Sequence, residues 1–330
     1  MNLFDCTLRD GANVVGDGFS GELTVSIVKG LLANGITEIE LGNAKGLSAY
    51  EAAGADRALT DREYFELVKP YTGKGSLGMF QTAGYARAED IRAAADCGLS
   101  FLRVGSNAGD GEKAVKAVQL VKAAGLTCRY SLMKAYLLNP GELAAEARML
   151  ESAGVDKITV MDSAGTMFPE EAAAYVTALK QAVRIPVGFH GHSNLGLSQA
   201  NALAAAEAGA DEIDCGLLGM ARSAGNCATE LAAAALMKKG LLPEIDFYGL
   251  LDYLEKELIP LMNPYHYHAA VKPVDLILGL AGAHSSFQKL FEKVAAEEHV
   301  SVYRLITEVS VLNRKSPDEA LMRRVAAGLR

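Results

Sequence analysis

The sequence predicts an α/β protein: a (β/α)8 TIM barrel over residues 1–242 with a helical C-terminal domain over residues 243–330. Three observations predict it. Short β-rich runs alternate with alanine-rich helical segments along most of the chain. The helical segments repeatedly end in a small or polar residue followed by glycine, at Asn34-Gly35, Cys97-Gly98, Ala124-Gly125, Ala153-Gly154 and Ala208-Gly209. The alternation then stops near Pro243. Glycine just past the last helical turn takes the left-handed conformation that closes a helix, so each pair marks a stop and a following strand.

Strands read after those stops fall at Leu3–Thr7, Thr37–Leu41, Ser76–Phe80, Phe101–Gly105, Leu126–Leu132, Lys157–Met161, Pro186–Phe189 and Glu212–Cys215. Helical patterns follow each, near Gly21–Ala33, Asp61–Lys69, Ala88–Asp96, Glu112–Ala123, Pro140–Ser152, Pro169–Gln181, Leu195–Ala208 and Cys227–Lys238. Asn139 before Pro140 is a cap followed by a ring already set for helix, with no amide hydrogen to leave unpaired. The strand runs read as continuously apolar, the pattern of a parallel sheet covered on both faces, and eight βα units close such a sheet into a barrel. A doubly wound sheet is the alternative, and it usually has fewer strands. Beyond Pro243, "YGLLDYLEKELIPLM" and "SSFQKLFEKVAAEE" carry helical patterns, and the leucine and tyrosine stripe of the first packs onto the barrel or onto another subunit.

The 330 residues suit a barrel of roughly 250 with an appendage. Half of them are hydrophobic and 22% charged, enough for a large core and without the bias of disorder. A net charge of −8, with no clustering of Lys and Arg, argues against a nucleic-acid partner and for a small substrate. Five cysteines with no C-x-x-C spacing suggest neither a disulfide framework nor a zinc knuckle and suit a reducing cytoplasm. The start carries no basic flank and apolar run, and no apolar stretch reaches the roughly 18 residues of a membrane span, so the reading is a soluble cytoplasmic protein.

Chemistry in such barrels sits at the C-terminal ends of the strands. The first run leads into Arg9 and Asp10, the sixth into Asp162-Ser163 and the seventh into His190-Gly191-His192-Ser193-Asn194, while Gly225-Asn226 follows the eighth. His190 and His192 project to the same side of an extended strand end and can converge on one ion. Asp10 aims into the same barrel mouth, and two imidazoles with a carboxylate and open positions make a site for a catalytic divalent ion. Arg9 beside that ion is placed to stabilise an enolate oxygen. Gly16-Asp17-Gly18-Phe19-Ser20-Gly21 spells a dinucleotide-binding fingerprint, but it does not begin where the strand ends, and we read it as a loop coincidence.

The stretches "FDCTLRDGAN", "VMDSAGTM", "GFHGHSNLGLSQANALAAAEAGADEIDCGLLGMARSAGNCATE" and "LGLAGAHSSF" together resemble the 4-hydroxy-2-oxovalerate aldolase family, within the wider metal-dependent lyases and Claisen-type synthases on this barrel. The resemblance runs through nearly the whole chain. It implies that Asp10, His190 and His192 bind a divalent ion, Mn2+ or Mg2+, with Asn226 as a weaker candidate. It makes Arg9 the arginine that stabilises a pyruvate enolate and sets Ser163 against the pyruvate carboxylate. It implies cleavage or formation of a 4-hydroxy-2-oxo acid, a homo-oligomer, and a C-terminal region that in the family docks an acylating aldehyde dehydrogenase. Two positions depart from the family. Its usual acid/base histidine two residues after the "RDG" glycine is Asn13 here, and its tyrosine in "AG-x-Y-S-S-F" is His284. His284 is accordingly expected to have taken over proton transfer, the task for which histidine is most often used.

Other readings are a different aldehyde, a decarboxylase of 2-oxo diacids, a Claisen-type condensing enzyme, a metal-free aldolase using Lys134 as Schiff base, a nicotinamide oxidoreductase using the Gly16–Gly21 loop, and a non-catalytic partner protein. His266 and His268 in "NPYHYH" repeat the H-x-H spacing without an acidic partner and are read as surface or interface residues.

Overall fold

The computed structural model describes every residue except 17, 54–56 and 243–244. Asp17 of the glycine loop and Pro243, where the helical domain is expected to begin, therefore lie outside the described residues. Eight strands, β1 Asn2–Asp5, β2 Glu38–Leu41, β3 Ser76–Thr82, β4 Phe101–Asn107, β5 Thr127–Met133, β6 Lys157–Asp162, β7 Val187–Gly191 and β8 Glu212–Cys215, pair in parallel sequence order and close by β1 against β8. Around them run α1 Gly21–Ala33, α2 Asp61–Val68, α3 Ala88–Cys97, α4 Gly111–Ala123, α5 Pro140–Ser152, α6 Pro169–Ala182, α7 Ser198–Glu207 and α8 Thr229–Lys238. The helix stops are those expected: Gly98 closes α3 with φ 93°, and Asn139 caps α5 by accepting from the Glu142 amide.

The strands are not continuously apolar, which corrects the sequence reading. They alternate, and the reason is the inside of the barrel. In β2, Ile39 and Leu41 join the apolar layer under the helices, whereas Glu38 and Glu40 form ion pairs with arginines of other strands. Glu40 meets Arg103 of β4, and Arg103 meets Asp214 of β8, both pairs joining strands that are not neighbours and so crossing the lumen. A second layer joins Arg129 to Glu38 and Glu212, and Lys157 to Glu212. Between the layers the Phe4 ring lies 4.4 Å from the Arg103 guanidinium and 4.6 Å from that of Arg129. Phe4, Cys6 and Phe101 form a small apolar cluster of their own inside this ionic lumen. Buried charges of this kind are tolerated only because each has partners.

The first strand is shorter than read. It stops at Asp5, whose carboxylate accepts from the Thr7 amide at 2.9 Å and the Thr229 hydroxyl at 2.7 Å, and the Arg9 and Asp10 amides both donate to the Cys6 carbonyl. That turn brings Asp10 back over the mouth. The glycine loop follows it away from any strand end: Phe19 is buried, Ser20 caps α1 through the Leu23 amide, and Gly21 is the first helical residue.

After the barrel come α9 Phe247–Tyr253, α10 Pro273–Ala281, α11 Gln288–Glu298, α12 Val302–Leu312 and α13 Glu319–Ala327. The helix continues past α9 through a π turn at Leu254–Leu258 into Ile259–Met262, the wider turn relieving the clash that the Pro260 ring makes with the preceding turn. The Leu250–Leu258 stripe is buried, and it packs on the barrel: Tyr253 bonds Ser26 and its ring fills the space beside Gly30 on α1, where any Cβ would collide with it. No described helix is long and apolar enough to cross a membrane.

Two buried carboxyls give the fold a pH signature. Burial pushes Glu230 up to about 7, against hydrogen bonds from its own amide and that of Leu218, and pushes Asp5 up to about 6. A carboxyl raised in the folded state stabilises fully below its unfolded value, and that contribution is lost as pH rises through 6 to 7. Glu230→Gln is therefore expected to gain stability relative to the parent as pH rises from about 5 to about 8, by at most about 3 kcal/mol. Thermal melts across that range check it.

Candidate active site

Asp10 is the hub of the barrel mouth. Its Oδ1 lies 3.2 Å from Arg9 Nη1 and accepts from Asn13 Nδ2 at 3.4 Å, while Arg222 Nε is 3.8 Å away. Its Oδ2 accepts from Asn226 Nδ2 at 3.0 Å and faces both His190 Nε2 and His192 Nε2 at 3.6 Å. All of these groups except Asn13 and Arg222 are buried. Burial alone raises the Asp10 carboxyl, but the charges of Arg9, His190 and His192 and the Asn226 hydrogen bond outweigh it and hold the group well below the usual carboxylate range. His192 is pushed down to about 4 by burial and by His190, so it is neutral and able to ligate at neutral pH.

The geometry fits a divalent cation. His190 Nε2 and Asn226 Oδ1 are buried and have no hydrogen-bond partner among the described residues, an arrangement that costs free energy unless something else meets them. Asp214 accepts at 3.2 Å on the other ring nitrogen of His190, fixing the ring as the outer carboxylate of a metal-bound histidine does. Cys6 Sγ also belongs to the cluster, within 4.8 Å of ligand atoms of Asp10 and His190. Its thiol is turned onto the Cys215 carbonyl at 3.1 Å.

The loop after β6 locks the histidines in place. Asp162 accepts from the amides of Thr166 and Met167, and Gly165, at φ 59°, sits so close to the next loop that a Cβ would lie 2.6 Å from the His192 carbonyl and the Asn194 amide. Gly165→Ala is expected to displace His192 and weaken metal binding by about 10–100-fold, the usual cost of losing outer support. Titration with Mn2+ followed by electron paramagnetic resonance reads that loss.

The cavity above Asp10 has a volume near 340 Å³, at the small end for ligand sites. Arg9, Asp10, Ser163, His190 and His192 line it together with Lys45, Phe80, Tyr85, Lys134, Tyr136 and Arg222. Arg9 is held from behind by Glu40 at 2.7 Å and stacked on Phe80, and its Nη2 has no hydrogen-bond partner among the described residues. Ser163 Oγ accepts from the Lys134 amide at 2.9 Å, which leaves its own hydrogen available.

Asn13 does not line the cavity. It donates to the Asp10 carbonyl at 2.8 Å and steadies the hub, a positioning role. His284 is not brought to the mouth either. It is exposed, and its ring caps the turn at Ser285–Phe287 by accepting from the Ser286 amide at 3.1 Å, so the geometry gives no support to its expected part in proton transfer. His266 and His268 are exposed, and among the described residues they belong to no metal-holding group.

Residues 1–256 match the HMGL-like family. The chain belongs to that family. As an HMGL-like protein it is 36% identical over 287 residues to a 4-hydroxy-2-oxovalerate aldolase of Moorella thermoacetica, covering 87% of this chain and 84% of that one. It is 32% identical over 326 residues to the protein of that name from Carboxydothermus hydrogenoformans, covering 99% and 96%. Among solved structures, an HMG-CoA lyase of Bacillus subtilis superposes with a TM-score of 0.68 at 16% identity, over 82% of this chain and 95% of that one. The carboxyl transferase domain of Rhizobium etli pyruvate carboxylase gives 0.68 at 17% identity, over 100% and 61%. At such identities the structural likeness of an HMGL-like chain speaks for the barrel alone.

The sequence reading missed Glu40, Arg103, Asp214 and Cys6, which hold or border the hub, and Lys45, Tyr85, Tyr136 and Arg222, which line the mouth. Glu40, Arg103 and Asp214 could have been found from charged residues at alternate positions of strand runs, as in "EIEL" and "EIDC".

Proposed function

We propose that this enzyme, an aldolase-type lyase by family, cleaves or forms a 4-hydroxy-2-oxo acid such as 4-hydroxy-2-oxovalerate by way of a pyruvate enolate. What carries the reading is the convergence of Asp10, His190 and His192 beside an arginine with an unspent donor. These three residues would hold a divalent cation, Mn2+ or Mg2+, with Asn226 as a further donor. When bound, the cation supplies Lewis-acid polarisation of the keto oxygen and a counter-charge for the enolate.

The chain's own groups do the rest. Asp214 keeps His190 turned to the site, and Glu40 aims Arg9. Arg9 Nη2 donates to the oxygen on which charge grows as the bond between C3 and C4 of the substrate breaks, an interaction stronger in the transition state than before it. The Ser163 hydroxyl donates to the pyruvate carboxylate. The 4-hydroxyl proton passes to solvent at the open side of the mouth, walled by Tyr85 and Tyr136, as the aldehyde carbonyl forms, and a proton from the same solvent goes to C3 of the enolate to give pyruvate.

Exchange of the pyruvate methyl protons with deuterated water tests the enolate directly and needs no aldehyde. It is expected to require Mn2+ or Mg2+ and to stop with a chelator. Exchange that survives chelation, with borohydride trapping pyruvate on Lys134, would replace this mechanism with a Schiff-base one.

A further inference from the structure

Four cationic side chains, Arg9, Lys45, Lys134 and Arg222, line the cavity, against the single carboxylate of Asp10. This is in a protein of net charge −8. The imbalance is local, and it divides by position. Arg9 and Arg222 stand at Asp10, on the side of the mouth formed by β1, β7 and β8. Lys45 follows β2 and Lys134 follows β5, so the two lysines flank the opposite side of the ring. Among the described residues neither ammonium is paired with a carboxylate, although Lys45 lies over the Tyr50 ring at 5.4 Å.

Both lysines are exposed, but their backbones are held in place. The Lys134 backbone is left-handed, φ 55° and ψ 48°, a strained conformation for a residue with a side chain, and the Ser163 hydroxyl pins its amide. The Lys45 carbonyl accepts from the Thr82 hydroxyl at 3.2 Å, and the next residue, Gly46, bridges to Gln81 of β3. Strain of this kind persists where the surroundings enforce it, and here it fixes an exposed lysine on the rim of a small cavity.

Pyruvate and its enolate are matched by Arg9, Ser163 and the cation at the hub, which leaves the two lysines without a counterpart. We propose that they receive a second anionic group, a carboxylate or phosphate on the aldehyde half of the substrate, so that the physiological substrate is a 4-hydroxy-2-oxo acid charged at both ends. The inference rests on the aldolase reading above. A cationic wall in an acidic protein also focuses field lines into the cleft and draws an anionic aldehyde to it.

Full-length protein with Mn2+ and pyruvate is to be given matched aldehydes: succinate semialdehyde against butanal, and glyceraldehyde 3-phosphate against glyceraldehyde. The anionic member of one pair is expected to be favoured about tenfold or more in kcat/KM, chiefly through KM, and the pair that responds tells carboxylate from phosphate. Lys45→Gln and Lys134→Gln are expected to narrow that preference by about tenfold each. Equal constants within both pairs, a preference for the neutral members, or no product from either anionic aldehyde overturns the proposal. So does a variant that raises the KM for pyruvate in the deuterium exchange while leaving the preference intact, since the lysine would then serve the pyruvate carboxylate. Exchange is measured in the same samples. Its presence keeps the aldolase reading standing when the preference fails, and its absence shows that the aldolase reading itself has failed.

Discussion

Asp10→Asn is expected to cost more than about 100-fold in metal affinity and on the order of 1000-fold in deuterium exchange and aldol turnover. The carboxylate is shared by six groups. Arg9, Asn13 and Arg222 address one oxygen, and Asn226, His190 and His192 the other. An amide in its place can keep the Asn226 contact only by turning its own oxygen there, which points its NH2 at donors on the opposite side. It also removes the negative charge that Arg9 and any bound cation both face. Outer residues alone are worth about 10–100-fold in affinity, so loss of the central ligand must exceed that. Isothermal titration with Mn2+ reads binding apart from chemistry. Unchanged affinity in this variant would mean that the cation sits elsewhere.

The second large effect is on stability. Arg103→Met is expected to cost about 3–5 kcal/mol, because Glu40 and Asp214 would each be left as buried charges short of a partner. The fall in melting temperature should be on the order of 10 °C. Burial raises Glu40 and Asp214, but Arg103, with Arg9 for the first and His190 for the second, overrides it and holds both below the usual range, Asp214 at about 2. A depressed carboxyl stabilises above its unfolded value and loses that contribution as pH falls through the folded one, so this network should weaken only in strong acid. Without Arg103 both carboxyls should rise, and the variant should be less sensitive to acid and more to neutral pH. Adding Glu40→Gln and Asp214→Asn is expected to restore part of the stability but not the metal affinity, since Arg9 and His190 then lose the groups that aim them.

The barrel was legible in the sequence because glycine at a helix end has a fixed physical meaning, and Gly98 does in the structure what its place after Cys97 implies. The hub was legible because barrel topology sends strand ends to one mouth, which is enough to bring Asp10 to His190 and His192 from opposite ends of the chain. The ionic lumen was not. Glu40 and Asp214 sit in four-residue strands and Arg103 in one of seven, alternating with the outward Ile39, Ile213 and Leu102, and an alternation this short is easily taken for an apolar run with exceptions. The place of His284 was not legible for a different reason. Spacing within "AGAHSSF" says nothing about where α10 and the turn after it stand relative to the mouth, and that turn uses the imidazole as its own cap. Lys45 and Lys134 are loop residues, and only the assembled barrel shows that they face one another's side of the cleft.

The chain of alternating charges from Arg9 through Glu40, Arg103 and Asp214 to His190 bears on how this protein can change over generations. Each member is held by neighbours on both sides or terminates at the hub, so a single replacement at any of these five positions leaves a buried group short of a partner. Change is therefore expected to accumulate first in the outer helices and the mouth loops, and new substrates to be acquired by rewriting the rim around a conserved lumen.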